Sequence, residues 1–270
     1  MMNKAVILAA GLGTRMRKQD QSAGLSDDQA RVAETGVKAL IPIDRPFLDY
    51  VLTVLADAGY SQVCLVIGPG HDHVRDYYTQ QAPPTRLSID FATQAEPLGT
   101  ANAVAAAEAF VGQDDFLMIN SDNHYPPDAV RALREIAGPG LAAFERQALI
   151  DNSNIPADRV QKFAAVQFDD NDRLVRVVEK PDNEQLAALG DDIFLSMNCW
   201  RFTPNILKAC RAIAPSSRGE YEITDAAQYC IDQLKETFKI IRSNSPVLDL
   251  SSQEDVAPVT RLLAGKDVSY

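Results

Sequence analysis

Ala5-Val6-Ile7-Leu8-Ala9-Ala10-Gly11-Leu12-Gly13-Thr14-Arg15-Met16-Arg17 joins an apolar run to a glycine turn that carries two arginines. An unbroken apolar run rich in branched residues is the pattern of a strand buried on both faces, as strands inside parallel sheets are. Glycine lets the chain turn tightly and brings backbone N–H groups close to a ligand. Successive N–H groups aimed one way make an anion-binding concavity, and Arg15 adds a permanently charged fork that matches phosphate oxygens. The stretch reads as a loop that handles phosphate.

Two familiar glycine loops fit it poorly. A dinucleotide fingerprint wants a third small residue where Met16 stands, and an acidic residue closing the second strand to hold a ribose. The second apolar run, Gln62-Val63-Cys64-Leu65-Val66-Ile67-Gly68, is followed by proline instead. A Walker-type loop needs Gly-Lys-Ser/Thr after its glycines, and none follows here.

Outward from the loop, strand and helix patterns alternate. Strands are expected near 4–10, 62–67, 87–92, 115–120 and 140–144, and helices near 46–58, 71–81, 99–110 and 127–137. Alternation of this kind implies right-handed crossovers and a mostly parallel sheet with helices on both faces. Ligands of such sheets bind beyond the carboxyl ends of the strands, where Gly11, Gln94 and Asp122 all fall. Past residue 150 the texture changes. Lys162–Phe168 and Leu174–Glu179 flank the polar turn Asp169-Asp170-Asn171-Asp172-Arg173 and suggest a hairpin. A strand over 192–202, helices near 203–214 and 222–236, a strand over 237–243 and a helix over 252–264 complete the chain. The expected organisation is one domain over 1–270: a nucleotide-binding core (1–150), a substrate-binding lobe (151–236), and a closing strand and helix (237–270).

Composition narrows the function. Twenty-six Lys and Arg against 37 Asp and Glu give a net charge of −11, which argues against nucleic-acid or anionic-membrane partners. Cations gathered at one site by so acidic a chain are correspondingly informative. No apolar stretch is long enough to cross a bilayer, and the N-terminus reads as a strand rather than a signal peptide, so a cytoplasmic location is expected. Cys64, Cys199, Cys210 and Cys230 stand singly, without zinc-ligand spacing, and read as buried thiols in a reducing compartment.

Further segments join the opening stretch in order: Val37-Lys38-Ala39-Leu40-Ile41-Pro42, Gln94-Ala95-Glu96-Pro97-Leu98-Gly99-Thr100-Ala101, Ser121-Asp122-Asn123, Val178-Glu179-Lys180-Pro181, Gly219-Glu220-Tyr221-Glu222-Ile223-Thr224-Asp225-Ala226 and Val247-Leu248-Asp249. Taken together, the set resembles the sugar-1-phosphate nucleotidyltransferases, which make NDP-sugars from an NTP and a sugar 1-phosphate. The resemblance implies an α/β, Rossmann-like doubly wound sheet, mixed but mostly parallel (a GT-A-like nucleotidyltransferase fold), with a small inserted sugar-binding lobe. It implies Mg²⁺ as cofactor, NTP and sugar 1-phosphate as small-molecule partners, and leaves a homo-oligomer open. The bifunctional relatives' left-handed β-helix is not expected here, nor an acetyltransferase activity.

Roles follow from the resemblance, position by position. Ala10, Gly11, Gly13 and Thr14 would contact the triphosphate through backbone and hydroxyl groups. Arg15 would neutralise the leaving pyrophosphate, Lys38 would bridge phosphates near the α-phosphorus, and Lys180 would hold the sugar phosphate. Gln94, Gly99 and Thr100 would line the base side; Gln94 can offer both donor and acceptor, and Gly99 lets a base approach the backbone. Glu179, Asn198 and Glu220 would meet sugar or ribose hydroxyls. Asp122 and Asp249 would hold the Mg²⁺ through hard carboxylate oxygens. Both the uridylyl- and the guanylyltransferases offer parallels, with UTP favoured over GTP. The alternatives are a non-sugar acceptor, such as a cyclitol phosphate or phosphocholine, and a non-catalytic nucleotide-sugar sensor.

The chain departs from the family pattern in places. Val37 stands where the lysine motif usually has proline, and Asp249 is followed by Leu250-Ser251-Ser252 rather than a glycine-containing pair. The polar stretch 18–29 lengthens the link between Arg17 and Lys38; its composition reads as a disordered surface loop, or as a mobile lid over the triphosphate. His71 and His73 read as solvent-facing, and His124 as close to the metal site. Asp122 could alternatively cap a helix beginning near Pro126 and Pro127.

Overall fold

The computed structural model describes residues 2–18, 20, 23–179, 181–187 and 193–270. Its strands, in chain order, are β1 (Lys4–Ala9), β2 (Gln62–Ile67), β3 (Ser88–Thr93), β4 (Phe116–Asn120), β5 (Asn123–His124), β6 (Gly140–Glu145), β7 (Ala164–Phe168), β8 (Leu174–Val178), β9 (Phe194–Phe202), β10 (Lys239–Ser243) and β11 (Leu248–Asp249). β1 pairs in parallel with β2 and β4, β2 with β3, and β6 with β10. β9 runs antiparallel between β4 and β6, which gives the order β10-β6-β9-β4-β1-β2-β3. The β7–β8 hairpin attaches to β9, and β5 and β11 form a separate antiparallel pair.

Burial on both faces explains why the opening run becomes a central strand. Alternate residues of β1 enter different cores: Ile7 joins Leu65, Leu117 and Phe144 beneath the helix Phe47–Asp57, while Val6 joins Cys64, Met118 and Trp200. The second core is closed by the helices Asn205–Ala212 and Ile223–Asp232 and by Trp200, which stacks on Phe202 at 5.3 Å. Residues 151–236 therefore do not stand apart from the sheet; they contribute β9 to its middle and the β7–β8 hairpin to its side. Parallel strands ending on one side carry Ala10, Gln94 and Ser121 to a common edge.

Two local expectations need correcting. The stretch beyond Arg17 contains an ordered helix, Asp27–Thr35, rather than only loop. Ser26 accepts the Gln29 N–H at 3.3 Å while Gln29 Oε1 accepts the Ser26 N–H at 3.1 Å, a reciprocal cap. Ala33 is buried, and Leu25 and Val32 pack on the core, so this segment is anchored. Gln19, Gln21 and Ser22 of it lie outside the described residues. The helix expected over 71–81 divides into Asp72–Asp76 and a wider π-turn, Tyr77–Gln81. Tyr77 and Tyr78 both donate to the buried Asp49 carboxylate, at 3.2 and 2.9 Å.

Candidate functional site

At the carboxyl edge of β1 and β4 lies a 490 Å³ cleft. The structure brings Ala10, Gly11, Gly13, Thr14, Lys38, Gln94, Gly99, Thr100, Asp122 and Glu220 together in its walls. Arg15, Glu179, Asn198 and Asp249 do not line it. Lys180 lies outside the described residues.

The glycine loop is held by the segment that follows it. Gly13 adopts φ +59°, and a Cβ there would overlap the carbonyl of Gly36, so loop and helix end meet backbone to backbone. Arg17 donates Nε and Nη2 to Thr35 O at 3.1 and 2.7 Å, closing the C-terminus of the 27–35 helix. Gly11, by contrast, has nothing within 4 Å of where a Cβ would stand. One glycine is needed for packing; the other faces open space.

Lys38 follows at the start of a 3₁₀ turn, and its ammonium lies 2.6 Å from Asp122 Oδ2, with both side chains mostly buried. The Val37 departure has a structural counterpart: its N–H, which proline would lack, donates to Thr35 Oγ1 at 3.1 Å. Asp122 does not cap the helix Pro127–Glu135, whose N-cap position is Pro126. Instead its carbonyl accepts the Leu250 N–H at 2.8 Å, which sets the two aspartate segments side by side.

Asp249 is buried behind the cleft. Asn123 Nδ2 and Ser251 Oγ donate to its Oδ1 at 2.9 and 3.0 Å. Arg159 Nη2 lies 3.0 Å from Oδ2, but Oδ2 receives no aligned hydrogen bond. Burial raises the Asp249 carboxyl above its ordinary range, the Asp122 charge adds to this, and Arg159 opposes it. Arg159 is itself fixed by a bidentate pair with Asp255 at 3.0 and 2.8 Å. Two neighbouring carboxylates, one with a buried oxygen lacking an aligned donor, fit a hard divalent cation. Among the described residues no cluster of three or more His, Cys, Asp or Glu forms an all-protein cage. That donor set suits Mg²⁺, which keeps waters and phosphate oxygens in its shell.

On the opposite wall Gln94 donates Nε2 to Gly99 O at 3.0 Å and to Asn102 Oδ1 at 2.8 Å. Gly99 has a reason beyond ligand approach: at φ +112°, a Cβ would lie 2.6 Å from Tyr221 O and 2.7 Å from Tyr221 N. Tyr221 bonds Leu98 O and Ala101 N–H, which seats the 219–222 loop on this turn. The Thr100 hydroxyl accepts the Ile223 N–H at 2.9 Å, so its acceptor serves the start of the helix Ile223–Asp232.

The region around Glu220 is acidic. Glu179 Oε1 accepts from Thr224 Oγ1 at 3.2 Å, and burial, with Glu222 nearby, raises its pKa. Glu222 pairs with Arg218 at 2.5 Å, and Glu220 reaches the cleft. Asn198 sits in a left-handed conformation (φ +57°) inside β9, and its Oδ1 accepts from Trp200 Nε1 at 3.4 Å. His71 is placed differently from expectation, and His124 lies beside the Asp249 segment without reaching the cleft. His71 is buried, its Nδ1 accepting the Gly68 N–H at 3.3 Å. His124 is buried on β5 opposite Leu248, and burial lowers its pKa to about 4. His73 is exposed, as expected.

Residues 4–256 match the nucleotidyl transferase family. The chain belongs to that family. It is 34% identical over 235 residues to a glucose-1-phosphate thymidylyltransferase of Streptomyces antibioticus, covering 85% of this chain and 57% of that protein. The chain thus spans little more than half the length of that relative. It is 28% identical over 257 residues to the UTP–glucose-1-phosphate uridylyltransferase AglF of Haloferax volcanii, covering 93% of each. A solved UDP-glucose pyrophosphorylase complexed with UDP-glucose superposes with a TM-score of 0.74 at 19% identity, over 99% of this chain and 100% of that one. The α/β nucleotidyltransferase fold and the resemblance to the sugar-1-phosphate enzymes are both borne out. No helix among the described residues is long and apolar enough to cross a membrane.

Within this nucleotidyl transferase frame, several residues that sequence reasoning passed over organise the site. Asn123, Arg159 and Ser251 surround Asp249, and Asn154 brackets its backbone by accepting its N–H and donating to its carbonyl. Gln253 donates to Met16 O at 2.8 Å and accepts the Asp20 N–H at 3.1 Å, joining the closing segment to the glycine loop. Arg15 reaches the same place, its Nη2 3.4 Å from Ser251 Oγ. Asn123, beside Asp122, and Ser251, two residues after Asp249, stand in or next to the motif segments, though neither reads from sequence as a partner of Asp249; the helix-capping role open to Ser251 or Ser252 falls to Ser252.

Proposed function

We propose that this chain is a sugar-1-phosphate nucleotidyltransferase that converts an NTP and a sugar 1-phosphate to an NDP-sugar and pyrophosphate. The observation that carries the reading is the single cleft in which the glycine loop, Lys38, Gln94 and Asp122 converge. An acceptor-phosphate oxygen attacks the α-phosphorus, a new P–O bond forms, and the bond to the bridging oxygen breaks, its electron pair leaving with pyrophosphate. The nucleophile is already ionised, so no protein base is needed. Charge neutralisation and alignment carry the rate.

Backbone N–H groups of the loop, with Thr14, face the triphosphate, and Lys38 stands where α-phosphate charge accumulates. Arg15 approaches the leaving group from the rim, and Lys180 holds the acceptor phosphate. Glu179 and Glu220 orient hydroxyls on the acceptor side. Asp122 and Asp249 would hold Mg²⁺, which when bound neutralises phosphate oxygens and orients them. Gln94 reads the base edge, and UTP or dTTP is favoured, GTP being the next candidate. Relatives named for thymidylyl and uridylyl transfer support the pyrimidines. The sensor alternative loses ground, because Val37 and Ser251 each make a hydrogen bond that keeps Lys38 or Asp249 in place.

The test is pyrophosphate release with Mg²⁺, pairing the four ribonucleotides and dTTP with a panel of sugar 1-phosphates. Turnover with one keto-base nucleotide and one sugar phosphate is the expected result. Silence across the panel, with NTP binding intact by calorimetry, would overturn the assignment.

A further inference from the structure

The Gln94 amide is locked more tightly than base reading alone would need. Gly99 presents a carbonyl, which can only accept, so the amide face turned to it must be the NH₂ group, at 3.0 Å. The second hydrogen goes to Asn102 at 2.8 Å, and because an NH₂ group only donates, Asn102 must turn its oxygen toward it. Both hydrogens are then placed, and no donor among the described residues bonds Gln94 Oε1. Gln94 lines the cleft, whereas Asn102 stands behind it on the helix Thr100–Ala106. The frame around the pair is stiff: Gly99 is pinned against Tyr221, and Ala101 N–H bonds Tyr221 O.

We infer that Asn102 is a positioning residue for base selection, which holds Gln94 with its carbonyl oxygen as the lone group offered to the base. Resting on the proposed meeting of Gln94 with the base, this deepens the reading of the same site. A lone acceptor suits a ring edge that carries N–H: N3–H of uracil or thymine, or N1–H of guanine. It opposes cytosine N3 and adenine N1, which are acceptors themselves. Facing lone pairs leave both groups desolvated without a partner, the arrangement that discriminates most strongly between isosteric ligands.

The experiment measures nucleotide binding to the full chain by calorimetry, without acceptor, for UTP, dTTP, GTP, CTP and ATP. The wild type should bind its preferred keto-base nucleotide at least tenfold more tightly than CTP. Asn102→Ala should cut that ratio several-fold with an unchanged melting temperature, because the amide can then pivot about its bond to Gly99. Asn102→Asp, which still accepts, should keep the ratio. If Asn102→Ala does not fold, Asn102→Val gives the same reading with a better-packed side chain. A purely structural role for Asn102 would lower stability and leave the ratio alone, overturning the inference. Gln94→Ala separates the two levels. If it leaves the ratio unchanged, the reading of Gln94 as base contact fails; if it abolishes the ratio while Asn102→Ala does not, only the role of Asn102 falls. A wild type that binds no keto-base nucleotide more tightly than CTP would also overturn it.

Discussion

The glycine-loop side of the cleft and the acidic region beside it are built from different materials. At the phosphate end, positions are set by backbone: Gly13 lies against Gly36, Arg17 closes a helix on Thr35 O, and Val37 N–H is fixed by Thr35. In the acidic region beyond Glu220, outside the cleft lining, side chains hold side chains: Glu179 on Thr224 and Glu222 on Arg218. A side chain at Gly13 cannot enter without moving the loop, whereas side-chain pairs can be exchanged one at a time. The phosphate end therefore suits a part of the reaction common to every substrate pair. On the proposed function, the acidic region is where acceptor specificity would change without loss of the chemistry.

Breaking the phosphate end at its charge should have the largest effect. Lys38→Ala removes the cation 2.6 Å from Asp122 and should lower kcat by about 10²- to 10³-fold, the range for losing one preorganised charge-stabilising group. Glu179→Gln should act mainly on the KM for the acceptor. Steady-state kinetics with both substrates varied checks the contrast. Equal effects on kcat from both variants would mean that the two regions do not divide the work in this way.

The two loop glycines sharpen the same contrast within one turn. Gly13→Ala places a methyl into Gly36 O at a left-handed φ of +59°, so it should destabilise the fold by about 2 kcal/mol or more and weaken NTP binding. Gly11→Ala meets nothing within 4 Å and should leave the denaturant midpoint almost unchanged, with any loss confined to the KM for NTP. Matched denaturation curves and NTP titrations decide this. If Gly11→Ala were the more destabilising, the packing argument for Gly13 would be wrong.

How much of this was readable in the chain follows from the same distinction. β2 falls on 62–67 as expected, because a run buried on both faces between turn residues has few other solutions. The order of motifs along one sheet edge was readable too, since parallel strands place their carboxyl ends together. The ordered helix after Arg17 was obscured by polar composition, although Ser26 and Gln29 stand at capping-box spacing and Leu25, Val32 and Ala33 give it a buried side. That Asn123 and Arg159 meet Asp249 was not readable. Asn123 is 126 positions away, and Arg159 comes from a segment with no motif, so only the folded register of β5 on β11 reveals them. β9 was recognisable as a strand but not as a central one, because pairing order is not written in a strand's own pattern.

A milder loss of stability than that of Gly13→Ala is expected just behind the glycine loop. His71 sits among buried groups, and burial lowers its pKa from the usual 6.5, with His73 and Arg17 adding to the shift and the Ala9 carbonyl opposing it. Its neutral Nδ1 accepts the Gly68 N–H, an interaction lost on protonation at that nitrogen. A base whose folded pKa is lowered binds protons more readily when unfolded. Its contribution is therefore complete above pH 6.5 and is lost as the pH falls below that value toward the lowered pKa. His71→Phe should reduce stability by about 1 kcal/mol at neutral pH, through the unpaired Gly68 N–H. It should also flatten the fall in stability between pH 7 and about pH 5, because the titrating group is gone. Urea midpoints across that range, in both proteins, provide the check. Parallel curves would show that the His71 pKa does not differ between the folded and unfolded states and that the acid sensitivity of this end arises elsewhere.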